Sequence, residues 1–222
     1  MSVLDTLITD RTEEQVNRLR QLLAKGWQAM TDEEKYEYLN GSPSQLYDSQ
    51  NQRLNDRNGA AVLAFDGIIR GDYNYTDLNR VETAVAYVAD ELAGALDTLQ
   101  AYATEIGISW DPVFGVPYDP DDYDDLTVKT DWAETDIPSA TQMARYINNI
   151  KLIRDAIPDS SNAWIPDTMD GINYETANNI EQLLIDVDLA LAALILTQEG
   201  FMRSALAVYY SGEIYSGEGD YS

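Results

Sequence analysis

The chain contains no cysteine and no histidine, and only 14 of its 222 residues are Lys or Arg, against 39 Asp and Glu. Without Cys there is no disulfide scaffold, thiolate nucleophile, iron–sulfur cluster or Cys-based zinc site. Without His the commonest general base and the commonest transition-metal ligand are gone, and Ser-His-Asp and Cys-His catalysis with them. The net charge is −25 and the sequence pI about 4.1. Such a chain is repelled by phosphates and anionic lipid, because affinity for both comes from clustered Lys and Arg. Nucleic-acid binding is disfavoured.

Long apolar runs and a phosphate loop are also missing. The most apolar stretch, residues 189–196, is about eight long and follows Asp186 and Asp188, whereas a membrane span needs roughly 20. The opening Met1-Ser2-Val3-Leu4-Asp5 has no basic n-region and no apolar h-region, so the expectation is a soluble protein without an export signal. The Gly-containing stretches Ser211-Gly212-Glu213 and Gly67 fit neither a Walker nor a dinucleotide pattern, which leaves an NTPase or a dehydrogenase unsupported.

What is present is apolar material: 45% hydrophobic residues, 15 Tyr and 4 Trp, enough for a core despite the charge. Three helix starts carry the reciprocal capping pattern in which a hydroxyl and a side chain three residues on satisfy orphan amides. They are Thr12 with Gln15, Thr31 with Glu34, and Ser139 with Gln142. Three apolar series then keep a 3-then-4 spacing: Val81, Val85, Val88, Leu92, Ala95, Leu99; Met143, Tyr146, Ile150, Ile153, Ile157; and Ile180, Leu184, Val187, Leu191, Leu194. This spacing makes seams that pack against near-antiparallel neighbours. The expected fold is mainly α: a bundle of about four helices, with a small β-hairpin or meander insertion and a long irregular loop.

The expected organisation runs as an N-terminal helical segment over 1–41, the β insertion over 42–70, the bundle over 71–204, and an aromatic tail over 205–222. In the insertion, residues 62–65 and 68–70 are expected to pair across Asp66-Gly67. The irregular loop covers 105–138, with a short strand expected at 126–129. Residues 74–82 also align with 173–181, sharing Asn, Tyr, Asn and Glu. This reads as a weak internal repeat of one helical unit, with chance likeness among amphipathic helices as the alternative.

Candidate chemistry is thin. Asp119, Asp121, Asp122, Asp124 and Asp125 form an acidic cluster that hard cations such as calcium favour, but no Gly sits at the turn and no Glu closes the loop at twelve. A solvated acidic loop without metal is expected. Glu82 and Glu181, at matching repeat positions, are the one pair of carboxylates a glycosidase-like mechanism would need. Each lies one residue past a seam position, where a solvated flank is expected, and Asn79 and Asn178 are expected to serve the first turns of their helices. No catalytic residue, metal ligand or cofactor site is assigned. The aromatic residues suggest contact instead: Tyr209, Tyr210, Tyr215 and Tyr221 crowd the tail, and Trp132 and Trp164 lie in connections. Tyr209, Tyr210, Tyr215, Trp132 and Trp164 are the expected interface residues.

Several stretches together resemble a known group. They are Leu7-Ile8-Thr9-Asp10-Arg11-Thr12, Lys25-Gly26-Trp27, residues 71–81 (Gly-Asp-Tyr-Asn-Tyr-Thr-Asp-Leu-Asn-Arg-Val), Lys129-Thr130-Asp131-Trp132, Asp136-Ile137-Pro138 and the repeated Tyr-Ser-Gly-Glu near the end. With these the chain resembles small structural proteins encoded in the tail regions of phages and prophages of Gram-positive gut bacteria. The resemblance spans most of the chain in order, with 42–70 as a variable insertion. It implies a virion component of the tail, neck or baseplate region, assembled in the bacterial host cytoplasm. The implied role is a homo-oligomeric scaffold or adaptor that contacts other virion proteins, not an enzyme. The alternative is a glycan- or receptor-binding accessory module of a tail fibre.

Overall fold

A computed structural model describes residues 2–41, 43–45, 63–65, 71–105, 123, 126–157 and 160–215, with backbone only at 40, 43–45, 63–65, 99, 102, 103 and 198–215. The described chain is mainly helical. Its α-helices are α1 (Glu13–Lys25), α2 (Asp32–Asn40), α3 (Tyr75–Glu105), α4 (Ala140–Ala156) and α5 (Tyr174–Tyr215). No helix among the described residues is long and apolar enough to cross a membrane.

All three expected capping boxes form: Thr12 with Gln15 on α1, Thr31 with Glu34 on α2, and Ser139 with Gln142 on α4. Gly26 and Gly41 end α1 and α2 at φ +76° and +83°, a region that residues with a Cβ rarely enter. The two long helices are capped by the equivalent asparagines of the repeat. Asn74 Oδ1 accepts from the Thr76 amide at 2.8 Å, and Asn173 Oδ1 from the Thr176 amide at 2.8 Å.

The seams pack as their spacing requires. α3, α4 and α5 contact one another pairwise and enclose a core in which Val85, Val88, Ile150, Leu184 and Val187 are all fully buried. The central bundle thus has three helices. The fourth and fifth, α1 and α2, form a hairpin against its side. A bidentate Arg18–Glu37 pair at 2.9 and 2.7 Å ties them together, and Lys25 meets Glu34 at 2.5 Å. Gly71 sits where α1 crosses the chain entering α3. A Cβ there would lie 2.6 Å from Leu19 Cβ and 2.9 Å from the Gln15 carbonyl.

Three expectations need revision. The β-hairpin insertion is not supported: the strand pairing among the described residues joins Pro43–Gln45 to Leu63–Phe65, three residues a side, and residues 66–70 lie outside the described ones. Residues 126–129 form no strand among the described residues, and the Lys129 amide donates to a glutamate side chain instead. The tail does not begin at 205, since α5 continues to Tyr215. The acidic cluster at 119–125 lies outside the described residues apart from Tyr123, which is buried in the core.

Candidate functional site

Asn79 and Glu82 stand one helical turn apart on α3, and Asn178 and Glu181 stand one turn apart on α5, so each pair projects from one face of its helix. Each pair grips an extended segment. Asn79 takes both polar groups of the Trp132 backbone: its Oδ1 accepts from the amide at 2.7 Å, and its Nδ2 donates to the carbonyl at 2.9 Å. Asn178 does the same to Arg11, at 3.0 and 2.9 Å. Three residues upstream in each segment, the Lys129 amide donates to Glu82 at 2.6 Å and the Ile8 amide to Glu181 at 2.5 Å.

The gripped side chain returns to the same glutamate. Trp132 Nε1 donates to Glu82 at 3.0 Å, and an Arg11 guanidinium nitrogen donates to Glu181 at 2.6 Å. The two segments read Ile8-Thr9-Asp10-Arg11 and Lys129-Thr130-Asp131-Trp132, so a Thr-Asp pair bridges the two anchored residues in both. The internal repeat is therefore a repeated clamp: Asn-x-x-Glu on a helix holding x-Thr-Asp-x on a strand-like segment.

An arginine from a third element completes each clamp. Arg145 of α4 makes a two-pronged contact with Glu82 at 2.8 and 2.7 Å. Arg80 of α3 does so with Glu181, at 3.0 Å for both prongs, and also pairs with Asp77. Arg11 reaches Asp77 too, at 2.7 Å, so Arg11, Arg80, Asp77 and Glu181 form a charge-balanced quartet. The Nε of Arg11 is buried without a partner among the described residues. Burial works against the Arg80 charge, but Glu181 and Asp77 outweigh it and hold its pKa above the ordinary arginine value. Beside the quartet, the Tyr73 and Tyr146 hydroxyls hydrogen-bond, and burial pushes the pKa of Tyr146 well above its usual 10.

Glu82 and Glu181 are thus not on a solvated flank: they are 1% and 0% exposed. The heptad reading places them beside the helix–helix seam correctly, but that flank is covered by the segment holding Lys129 and Trp132 over α3 and by residues 8–11 over α5. Each carboxylate accepts four hydrogen bonds, two on each oxygen, which leaves no lone pair facing solvent for proton transfer. Their chemistry is that of fasteners: charge-assisted bonds that hold irregular backbone where no sheet is available.

The expected interface residues scatter. Trp132 is 3% exposed and belongs to this chain's own core, with Lys129 stacked over its ring at 4.8 Å; it is not available to a neighbour. Trp164 is 64% exposed, its carbonyl accepting from Asn179. Tyr209, Tyr210 and Tyr215 fall on the final turns of α5, and their side chains lie outside the described ones. Among the described residues no group of three or more acidic side chains is arranged to hold a metal ion. Arg11, Arg80 and Arg145 were not singled out from sequence; the signal was present in the doubled Thr-Asp and doubled Asn-x-x-Glu. Compared with known family models, curated proteins and solved structures, the chain matches none.

Proposed function

We propose that this chain is a structural protein of the tail, neck or baseplate region of a phage virion, acting as a homo-oligomeric scaffold or adaptor through protein–protein contacts. The family assignment rests on the sequence resemblance. The observation that supports an adaptor role is the division of labour among side chains. Charged groups with chemical potential are spent on internal clamps, while large apolar side chains stand in water. Ile137 is 91% exposed, Leu196 69%, and Leu189 and Leu39 are nearly as open. Apolar surface of this kind is stabilised by docking on another protein, and the acidic surface keeps the free subunit dispersed until then.

Quantitative mass spectrometry of purified particles tests this reading. Recovery of the chain at a fixed ratio to the other virion proteins supports it; absence from particles made in cells that express it refutes it. The exposed indole of Trp164 favours one runner-up, a glycan-binding accessory module, because an open aromatic face stacks on sugar rings. Glycan-array binding by the isolated chain, lost in Trp164→Ala, would select that reading.

A further inference from the structure

A groove of about 630 Å³ runs between the α1–α2 hairpin and the chain that enters α3. Leu23 and Leu39 line one side and Tyr75 the other, and all three are exposed. Ile137, the most open large apolar residue, lies between Asp136 and Pro138, both of which border the groove. Three of the nine exposed large apolar side chains among the described residues therefore line this one groove.

The charge of the groove has one sign. Asp72, Glu134 and Asp136 border it, and among the described residues no Lys or Arg does. Lys129 pairs with Asp131 at 2.7 Å and with Asp136 at 3.3 Å, so part of the rim charge is offset, while Asp72 and Glu134 form no ion pair with a described cation. An apolar floor with a carboxylate rim selects an occupant that carries aliphatic or aromatic side chains next to Lys or Arg.

A second copy of this chain is a poor match. It carries 14 cations against 39 anions. Nine of the ten cations whose side chains are described, Arg20 being the exception, already sit in ion pairs of their own. We propose that the groove is the docking site for an amphipathic, basic segment of a different protein. The inference deepens the adaptor reading and rests on it, since it names the surface and the chemistry of the partner.

The probe is a labelled 14-residue peptide of leucine and lysine, LKKLLKLLKKLLKL, with a leucine–glutamate counterpart as control, titrated into the full chain at 0.15 M salt by fluorescence anisotropy. The expected result is saturable binding with a Kd of about 10 µM and none for the glutamate peptide. Leu23→Ser with Leu39→Ser should weaken it about tenfold or more, and Glu134→Lys about threefold, while Leu189→Ser, outside the groove, leaves it unchanged. Leu23 and Leu39 are already exposed, so circular dichroism and melting temperature should report intact variants. Equal binding by the groove variants would overturn the proposal, as would equal loss in Leu189→Ser. Binding that emerges only after residues 46–62 are replaced by a short Gly-Ser linker would assign the groove to the chain itself and also overturn it. The particle measurement fails separately: a chain absent from virions can still bind the peptide, and a chain present in them can fail to.

Discussion

Glu82→Gln is the sharpest perturbation of the clamps, because it keeps shape and removes charge. The carboxylate accepts from the Lys129 amide, the Trp132 indole and two Arg145 nitrogens, and it is 1% exposed. A glutamine keeps one oxygen and turns an NH2 toward two of those donors, so at least two of the four bonds are lost. The Arg145 guanidinium also loses its counter-charge. Breaking a buried pair from one side costs about 3–5 kcal/mol. Arg145 retains 22% side-chain exposure, and water can reach it, which places the expected cost near the lower end, about 3 kcal/mol. For a chain of this size that is a fall in Tm of about 6–12 °C. Urea unfolding followed by Trp fluorescence measures it. Adding Arg145→Met removes the orphaned cation, and the double variant should recover at least about 1 kcal/mol relative to the sum of the single changes. A single-variant cost below about 0.5 kcal/mol would show that Glu82 is solvated and that the segment is held by other means.

Other perturbations read the core, the hairpin and the tyrosine pair. Leu184→Ala empties a fully buried site and should cost about 2–5 kcal/mol by the same unfolding assay. Gly71→Ala drives a Cβ into Leu19 and the Gln15 carbonyl and should cost about 1–3 kcal/mol. Gly94→Ala, in α3 with nothing within 4 Å, should instead stabilise by about 0.5–1 kcal/mol. Tyr146 is held protonated in the fold well above pH 10, while in the unfolded chain it ionises near 10. The unfolded chain therefore binds fewer protons above that pH, and stability should fall by up to about 1.4 kcal/mol per pH unit for this residue. Tyr146→Phe should flatten the slope above pH 10 in denaturant titrations, and an unchanged slope would contradict the assignment.

The helix starts were legible because capping is local: Thr12 and Gln15, or Ser139 and Gln142, meet within one turn whatever the rest of the chain does. The seam residues were legible because helical spacing alone decides which face Val85, Ile150 and Leu184 share. Glu82 and Glu181 were not, because their burial depends on segments that arrive from 47 and 173 positions away in the chain. A helical wheel shows the flank but not what covers it. Trp132 was misplaced for the same reason, since a tryptophan in a connection reads as exposed until a glutamate on α3 is seen to accept from its indole. The repeat of residues 74–82 in 173–181 was visible as similarity of helices. Its physical content, a pair of clamps, required the Thr-Asp segments to be paired with helices that do not neighbour them in sequence. At its end α5 runs through Gly212 to Tyr215, since isolated glycines cost a helix only about 1 kcal/mol each.

The central structural claim is that two equivalent clamps, not regular secondary structure, fix the segments over α3 and α5. Amide hydrogen exchange resolved by NMR tests it residue by residue. The four gripped amides, of Ile8, Arg11, Lys129 and Trp132, lie outside every helix and strand, yet each donates to a clamp side chain at 2.5–3.0 Å. They should exchange as slowly as amides in the middle of α3 and α5, while those of Thr9 and Thr130 exchange orders of magnitude faster. Glu82→Gln should release Lys129 and Trp132 and leave Ile8 and Arg11 protected. Exchange of all four at the rate of free loops in the unmodified chain would contradict the account.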